Sequence, residues 1–540
     1  MSIRFHKIVS VAMVFILVST ALLGCAGKEK ELTINYRAEP PVLDVSKAEA
    51  QAAFTLLNEL NEGLYRIDKE GNPVPGLAKD MPKVSEDKLT YTIELREGLK
   101  WADGSALTAN DFIYSFLRTL DPATKAPYAF LLGWIKGGND ILNAKTPEEA
   151  EAAKANFGAK AVGDTTLEIT LEKPVAFFTQ LLGFSTFFPQ KQDMVEKAGE
   201  SYGGDPDKVI GAGPFKLEKW NHGQSLEFVK NENYWDAENI KLENFKLNIV
   251  KDGGTAVNLY KTKATDVTTV SGDRVTEWKG KPDLVSNVEQ TTTYIHLNQK
   301  NFPPFANKKI RQALSMSIDL QKHVDVVLNN GTKPSNGFVP ATQQDGNNQE
   351  FRTVAGDTQL KYDPAQAKQL LAEGLKELNL TSLPKFQLQG DDIETGKKSL
   401  EFIVGQWKDN LGIEVEAVPL PHKNRVQNEL DKTIQASLTL WGADYNDPMT
   451  FLDLLTTDSP FNASDYSNKE FDELMKTSDF MPDTVTRSQN FVKAEKILMD
   501  DAAIIPLYFR TSTYLVNPRL EGFFLQSLGY EFELRWASLK

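Results

Sequence analysis

The stretch Leu440-Trp441-Gly442-Ala443-Asp444-Tyr445-Asn446-Asp447-Pro448-Met449-Thr450-Phe451 joins a predicted strand to a predicted helix. Residues 433–440 are rich in β-branched and apolar side chains, which predicts the strand. A turn signal follows, because Asp447 can bond its own backbone and Pro448 fixes φ; these two residues suit an N-cap and the first helical position. Residues 449–455 are therefore predicted as a short helix.

Trp441 and Asp444 lie close to the end of that strand, which makes them candidates for a binding site. Proteins of the α/β class bind ligands where strands end at a topological switch point. Taken alone, a tryptophan and an aspartate at this spacing are more often a core residue and a helix cap. The rest of the chain has to decide between these two interpretations.

The chain is long and acidic. It has 540 residues, of which 41% are hydrophobic and 25% are charged, an ordinary globular composition. This length exceeds what one hydrophobic core supports, so two or three domains are expected. The formal net charge of −14 argues against nucleic acid as a partner and against electrostatic binding to anionic lipid.

The first residues have the pattern of a signal peptide. Basic residues precede the apolar run 8–23, which ends in Leu22-Leu23-Gly24-Cys25. This end resembles a bacterial lipobox, in which the cysteine is lipidated and becomes the mature N-terminus. Two acyl chains hold a protein on a membrane durably, whereas one does so marginally. We expect a signal peptide over 1–24 and a tether over 25–31; an incidental cysteine in an uncleaved anchor is the alternative.

Four ordered blocks carry a resemblance to a known family. The chain resembles the peptide-binding proteins of ABC importers, the family 5 extracellular solute-binding proteins, and the stretch at 440–451 is most similar to their oligopeptide-binding branch. The other three blocks are Leu95-Arg96-x-Gly98-x-x-Trp101-x-Asp103-Gly104 with Thr108-Ala109-x-Asp111-Phe112; Gly211-Ala212-Gly213-Pro214-Phe215 with Lys230-Asn231-x-x-Tyr234-Trp235; and Ile310-Arg311-Gln312-Ala313-Leu314 with Ile318-Asp319.

The resemblance implies an α/β fold of the periplasmic-binding-protein-like kind (type II, cluster C). Two lobes would be joined by crossing strands, and an extra α+β domain would widen the site. The expected boundaries are 32–61 with 198–299 and 512–540 for lobe I, 62–197 for the extra domain II, and 300–511 for lobe III. Strand 294–298 is a candidate crossing strand.

The resemblance also implies a function. A short peptide would be captured between the lobes and handed to an ABC permease and ATPase complex. Asp444 would bind its ammonium group, and Tyr128 and Trp441 would line the cleft. Two segments would pair with the peptide backbone, namely Leu440, Trp441 and Gly442, and Glu49, Ala50 and Gln51.

The other end of the peptide has no clear partner. Some relatives carry arginines where this chain has Leu438 and Glu429, and His422 stands where a large apolar residue is common. His422, Lys423, Arg425 and Arg510 are the candidates for the peptide carboxylate, although each residue type is more often solvated or structural.

The sequence offers little catalytic chemistry. The five histidines form no H-E-x-x-H pair, there is neither a P-loop nor a G-x-G-x-x-G, and Cys25 is the single cysteine. The G-x-S-x-G at 199–203 is followed by Gly-Asp-Pro and is interpreted as a surface turn, as is the carboxylate pair Asp391-Asp392. We expect no cofactor, no metal and no enzyme activity.

Several alternatives stay open. The same fold could serve a murein peptide, a dipeptide or a signalling peptide; nickel is disfavoured because no histidine or methionine cluster is visible. A peptide hydrolase and a purely structural lipoprotein are the other classes. The protein is expected to be a monomer on the extracytoplasmic face, anchored through Cys25 to a cell membrane of the Gram-positive type.

Overall fold

The computed structural model describes residues 31–69, 71–347, 349–478, 481 and 484–540. The predicted signal peptide, Cys25 and all of the predicted tether except Glu31 lie outside the described residues. Within the described ranges, no helix combines the length and apolarity needed to cross a bilayer.

The strands of the described residues are, in chain order, β1 Leu32–Tyr36, β2 Tyr65–Ile67, β3 Pro73–Pro75, β4 Lys83–Val84, β5 Thr90–Glu94, β6 Ala159–Ala161, β7 Thr166–Thr170, β8 Phe215–Asn221, β9 Ser225–Lys230, β10 Asn244–Ile249, β11 Val267–Thr269, β12 Leu284–Leu297, β13 Lys333–Pro334, β14 Phe386–Asp391, β15 Val415–Leu420, β16 Ala436–Gly442, β17 Ile504–Val516, β18 Leu520–Glu521, β19 Phe524–Leu525, β20 Phe532–Glu533 and β21 Ser538–Leu539.

The α-helices of the same residues are α1 Gln51–Leu60, α2 Ala109–Leu120, α3 Gly138–Leu142, α4 Pro147–Lys154, α5 Phe178–Leu181, α6 Gln192–Ala198, α7 Gly253–Lys261, α8 Lys308–Met316, α9 Leu320–His323, α10 Phe351–Ala355, α11 Pro364–Glu377, α12 Glu394–Leu411, α13 His422–Leu430, α14 Met449–Leu452, α15 Lys469–Ser478 and α16 Thr484–Asp500.

One large sheet runs through both lobes. In the described chain it has 11 strands in the order β15-β14-β16-β12-β17-β11-β1-β10-β9-β8, with β13 beside β17. The β14–β16 end carries α8, α11 and α12 around a core that includes Leu314, Trp407 and Leu438. The β1 and β8–β11 end belongs to a second, larger core that includes Ile34 and Phe228.

Two long strands, β12 and β17, cross between these ends. They pair antiparallel, and their register shifts between Val288 and Thr292. Such a bulge bends a strand locally and increases its twist. The predicted arrangement of two lobes joined by crossing strands is confirmed, and the crossing strand predicted at 294–298 extends back to Leu284.

An extra α+β region completes the fold. Its four-stranded sheet, in the order β4-β5-β7-β6, lies in the sequence between β3 and β8. Thr108 and Asp111 form the predicted capping box at the start of α2, and the Thr108 backbone N donates to Asp111 at 2.7 Å. Since this region falls within 62–197, the expected extra domain has a sheet of its own.

Residues 433–455 form the predicted strand, turn and helix, with shifted limits. The strand β16 begins at Ala436 and ends at Gly442, two residues later than predicted. The helix α14 begins at Met449 with Pro448 as its N-cap, and its last turn, 453–455, is a tighter 3-10 turn. Trp441 therefore lies inside the strand, and Asp444 follows its end.

Candidate functional site

Asp444 is a buried carboxylate without a counter-charge. Its backbone N donates to Thr450 Oγ1 at 3.2 Å, which holds the turn after β16. The residue is 9% exposed, and among the described residues its carboxylate has neither a hydrogen-bond nor an ion-pair partner. Burial raises its pKa to about 8. The charged form of this carboxyl is costly to bury unless a cation joins it, which makes Asp444 a candidate for a functional site.

Two side chains from other parts of the chain hydrogen-bond to the turn that carries Asp444. The guanidinium of Arg487 donates to both carboxylate oxygens of Asp447, at 2.6 and 2.9 Å, and both residues are buried. The side chain of Gln343 donates to the Tyr445 carbonyl at 2.8 Å. These supports lie far away in the sequence, and no local pattern indicated them.

Asp444 lines a small cavity of about 20 Å³ that is partly open to solvent. Ser185 also lines it, and the Ser185 hydroxyl is buried without a hydrogen-bond partner in the described structure. The remaining wall is mostly apolar and comes from α1, the extra region and the C-terminal segment: Phe54, Asn58, Ile67, Gln180, Gly183, Phe184, Leu528, Gly529 and Tyr530.

Tyr128 lies beside this carboxylate. Its ring centroid is 5.4 Å from that of Phe54 and 5.5 Å from that of Phe184. Burial raises the pKa of Tyr128 well above its usual value, and the negative charges of Asp444 and Glu49 add to the shift. Two of the sequence candidates, Asp444 and Glu49, are thus close enough to act electrostatically on a third, Tyr128.

Trp441 presents an unused donor. Its indole packs against Phe461 with centroids 5.1 Å apart, and its Nε1–H is buried without an acceptor in the described residues. Buried polar groups are nearly always hydrogen-bonded, so an unpaired donor beside a cleft indicates a place for a ligand acceptor.

The strand β16 has one paired edge and one open edge. It pairs along its whole length with β12, from Ala436 to Gly442. On the other side, β14 pairs only with Ala436 and Ser437. Among the described strands, the edge from Leu438 to Gly442 is unpaired and can accept an added strand.

The segment at 49–51 offers a second backbone. Ala50 is extended, with φ −112° and ψ 141°, and has no side-chain cap bond, while Glu49 is exposed. Gln51 begins α1, and its side chain accepts from Arg510 Nη2 at 3.0 Å. Arg510 also lies 2.7 Å from Glu289, within the bulge of β12, so its charge is compensated.

Arg425 is also compensated. Its Nε lies 2.6 Å from Asp391, and its Nη1 lies 2.8 Å from Glu429. His422, which is exposed, lies 3.2 Å from Asp391. The interpretation of Asp391 as part of a solvated turn was wrong: it is the last residue of β14 and takes part in an ion pair with a buried arginine.

The extra region contacts the β16 turn directly. The rings of Phe177 and Tyr445 stack with centroids 3.8 Å apart and planes at 5°. The backbone N of Asn446 donates to Gln180 Oε1 at 2.9 Å. Sequence analysis missed these contacts, because nothing local relates two aromatic residues so far apart in the chain.

Metal ligands and a catalytic serine were the two chemical features to look for in the described residues. They contain no group of three or more His, Cys, Asp or Glu placed to hold a metal. Ser201 of the G-x-S-x-G lies in an exposed turn and donates to the Ala198 carbonyl at 2.8 Å. No strand-to-helix elbow presents it, so the surface-turn interpretation is confirmed.

Known proteins match this chain over nearly its full length. It is 33% identical over 537 residues to the dipeptide-binding protein DppE of Bacillus subtilis, covering 96% of each chain. A structure of Listeria monocytogenes OppA bound to peptide superposes with a TM-score of 0.85 at 39% identity, covering 95% of this chain and 100% of the other.

A third relative indicates the relation of the lobes. One structure of the murein tripeptide-binding protein MppA of Escherichia coli, 28% identical, superposes with a TM-score of 0.83, covering 95% of this chain and 99% of the other. The unliganded open form of MppA, also 28% identical, superposes with a TM-score of only 0.69, covering 95% of this chain and 98% of the other. The arrangement described here is therefore more similar to the first MppA structure than to the open form.

The family model for bacterial extracellular solute-binding proteins, family 5 (middle), matches residues 72–463. That range contains the extra region, most of β16's lobe and the carboxylate of Asp444. The chain therefore belongs to the family 5 bacterial extracellular solute-binding proteins.

Proposed function

We propose that this protein is the peptide-binding component of an ABC importer, which captures extracellular oligopeptides between its lobes and delivers them to the permease. The single observation that carries this proposal is Asp444, a buried carboxylate without a partner at the end of an open strand edge. The relatives named for peptides support the same class of ligand.

The ammonium group of the peptide pairs with Asp444. A charge-assisted hydrogen bond is stronger than a neutral one and fixes the register of the ligand. Because Asp444 follows the carboxyl end of β16, a peptide that starts there runs antiparallel to the edge from Gly442 back to Leu438.

Backbone pairing explains how mixed sequences can be bound. A peptide carries unsatisfied donors and acceptors that are costly to bury alone. The edge at 438–442 on one side and the extended segment at Glu49 and Ala50 on the other supply partners whose identity does not depend on peptide side chains.

Closure of the lobes completes the site. The contacts of Phe177 with Tyr445 and of Gln180 with Asn446 join parts that separate when the lobes open. A ligand shifts this equilibrium by its differential affinity for the closed form. The permease then binds the surface that forms when the lobes close. We propose a monomer that binds and does not hydrolyse its peptide.

Isothermal titration calorimetry with tri- to hexapeptides tests the proposal. Peptides with a free amine should bind, and their N-acetylated forms should bind about 100-fold more weakly or not at all, because the buried ion pair is lost. Mass spectrometry should recover the bound peptide intact. No heat with any free-amine peptide would overturn the proposal, and cleaved peptide would favour the hydrolase.

The site of attachment is a separate proposal. Lipidation of Cys25 would hold the protein on the outer face of a Gram-positive type of membrane, which the lipobox-like run before it supports. Incorporation of labelled palmitate in the native host, lost in Cys25→Ser, is the expected result. Label retained by the variant would contradict it.

The domain division at 32–61 with 198–299 and 512–540, 62–197, and 300–511 is likewise proposed. It is supported by the four-stranded sheet within 83–170 and by the separate core around Trp407. Limited proteolysis should cleave first near these boundaries, and early cuts inside the lobes would contradict them.

A further inference from the structure

The far end of the open β16 edge differs from the Asp444 end. Pairing with β14 resumes at Ser437, so an added strand is stopped there. Arg425 lies against this end, because its Nη1 donates to Thr439 Oγ1 at 2.6 Å. A guanidinium at the end of a peptide groove is well placed to receive a terminal carboxylate, provided that its charge is free.

The charge of Arg425 is not free. Its side chain is 2% exposed and is shared between Asp391 at 2.6 Å and Glu429 at 2.8 Å. Burial alone would raise the pKa of Asp391, but hydrogen bonds from His422 and Arg425 hold it below its usual value. Asp391 therefore stays ionised, and a ligand carboxylate would meet one cation already shared by two acids.

Glu429 reinforces this balance. Its side chain accepts from Ser437, Arg425 and Thr439, so Arg425 is one of three donors to this carboxylate. Burial raises the pKa of Glu429, although Arg425 opposes the shift. Whether Glu429 is protonated or ionised, the cluster of Asp391, Arg425 and Glu429 carries no net positive charge.

The other arginines near the cleft also face acids. Arg510 lies 2.7 Å from Glu289. The pKa of Glu531 is raised by burial, and the positive charges of Arg37 and Arg510 oppose that shift, so Arg37 also acts on a carboxylate. Arg425 and Arg510 thus have acid partners, whereas in the described structure the carboxylate of Asp444 has no cation beside it.

We propose that this protein recognises peptides by their amino terminus and is indifferent to the charge of the carboxyl terminus, because Asp391 and Glu429 neutralise Arg425 at the far end of the groove. Its ligands then include peptides with an amidated or otherwise uncharged carboxyl end. This inference rests on the proposed function, since it concerns the ligand of the same cleft.

Three matched forms of each peptide, from tri- to hexapeptide, test the proposal by calorimetry: free acid, carboxyl-terminal amide and N-acetyl acid. The acid and the amide should bind with dissociation constants within about twofold of each other at every length. An amide at least about tenfold weaker at any length would overturn the inference while leaving the proposed function intact. If neither the acid nor the amide binds, the proposed function fails and takes this inference with it.

A variant tests the stated cause. Asp391→Asn removes one of the two acids, so Arg425 becomes available and the free acid should bind at least about fivefold more tightly than the amide. Glu429→Gln is the second variant, in case the first does not fold; thermal unfolding of both checks this. If the free acid and the amide bind with equal dissociation constants in both folded variants, the assigned role of the cluster is overturned.

Discussion

The two ends of the β16 edge each bury an ionisable group, but only one end leaves that group without a partner in the described structure. Asp444 is 9% exposed and, in the described chain, has no partner for its carboxylate. Arg425 is more deeply buried at 2%, yet it is bound by Asp391, Glu429 and Thr439.

The binding role proposed for Asp444 and the structural role proposed for Arg425 rest on this difference. Charging either group while it is buried costs desolvation free energy, and in the described structure Arg425 has acid partners that offset this cost whereas Asp444 has none and shows a raised pKa. Burial alone would have ranked Arg425 above Asp444 as a functional residue. The missing counter-charge, and not the burial, identifies the place where a ligand has to supply one.

Asp444→Asn is expected to have the largest effect. Replacing the carboxylate with a neutral amide removes the ion pair with the peptide ammonium and should weaken binding by about 3–4 kcal/mol, or roughly 100- to 1,000-fold. Calorimetry with a free-amine tetrapeptide measures this loss.

The exposed Asp458 provides a matched control, because Asp458→Asn removes the same formal charge from the same lobe and should leave affinity unchanged. Equal affinities for the Asp444→Asn variant and the parent protein would remove the contrast on which the comparison depends.

Arg425→Met should affect stability instead of binding. The variant leaves Asp391 and Glu429 without their cation, so the free energy of unfolding should fall by about 3 kcal/mol, while peptide affinity should change by less than about threefold. Urea denaturation and calorimetry measure the two quantities. Lys423→Met, on the exposed face of the same helix, is the control and should change neither. A loss of affinity without a loss of stability would assign Arg425 to the ligand.

Closure of the lobes should depend on pH, because it buries the carboxyl group of Asp444. Burial between the lobes, as described here, raises the pKa of Asp444 to about 8, whereas a solvated aspartate titrates near 4. Ligand-free closure therefore takes up a proton between these values and becomes easier as the pH falls from 8 towards 4, by up to about tenfold per pH unit.

Small-angle scattering of the ligand-free protein should thus show a smaller radius of gyration at pH 5 than at pH 8. The Asp444→Asn variant has no titrating group at this position and should show no such trend. A radius that increases on acidification in the parent protein would contradict the expected sign.

The elements around the site were predictable from sequence because their signals are local. A run of β-branched and apolar residues predicted β16, Asp447 and Pro448 predicted the turn, and Thr108 with Asp111 predicted the start of α2. The ordered blocks then indicated the lobes. Limits were less accurate: β16 continues through Trp441 and Gly442, since pairing with β12 sustains it beyond the run of β-branched residues.

The contacts that define the site were not predictable in the same way. Asp391 looked like half of a solvated pair until the fold brought Arg425 beside it. Asp447 looked like a cap, and its bond to Arg487 spans 40 residues. Pairing between distant side chains depends on the tertiary arrangement, and no periodicity in the sequence carries that information.

The stacked rings of Phe177 and Tyr445 should give the smallest effect, and they test whether closure is held by protein contacts as well as by the ligand. They lie 3.8 Å apart in the closed arrangement, next to Asp444. An aromatic pair contributes about 1 kcal/mol beyond its buried area, so Tyr445→Leu should weaken peptide binding about fivefold.

The loss should appear in the dissociation rate, because the pair forms after the peptide has entered and opening has to break it. Stopped-flow measurements on Tyr445→Leu, Phe177→Leu and the double variant give the coupling energy. If the two single losses simply add in the double variant, the stacking does not hold the closed form, and the ligand alone closes the lobes.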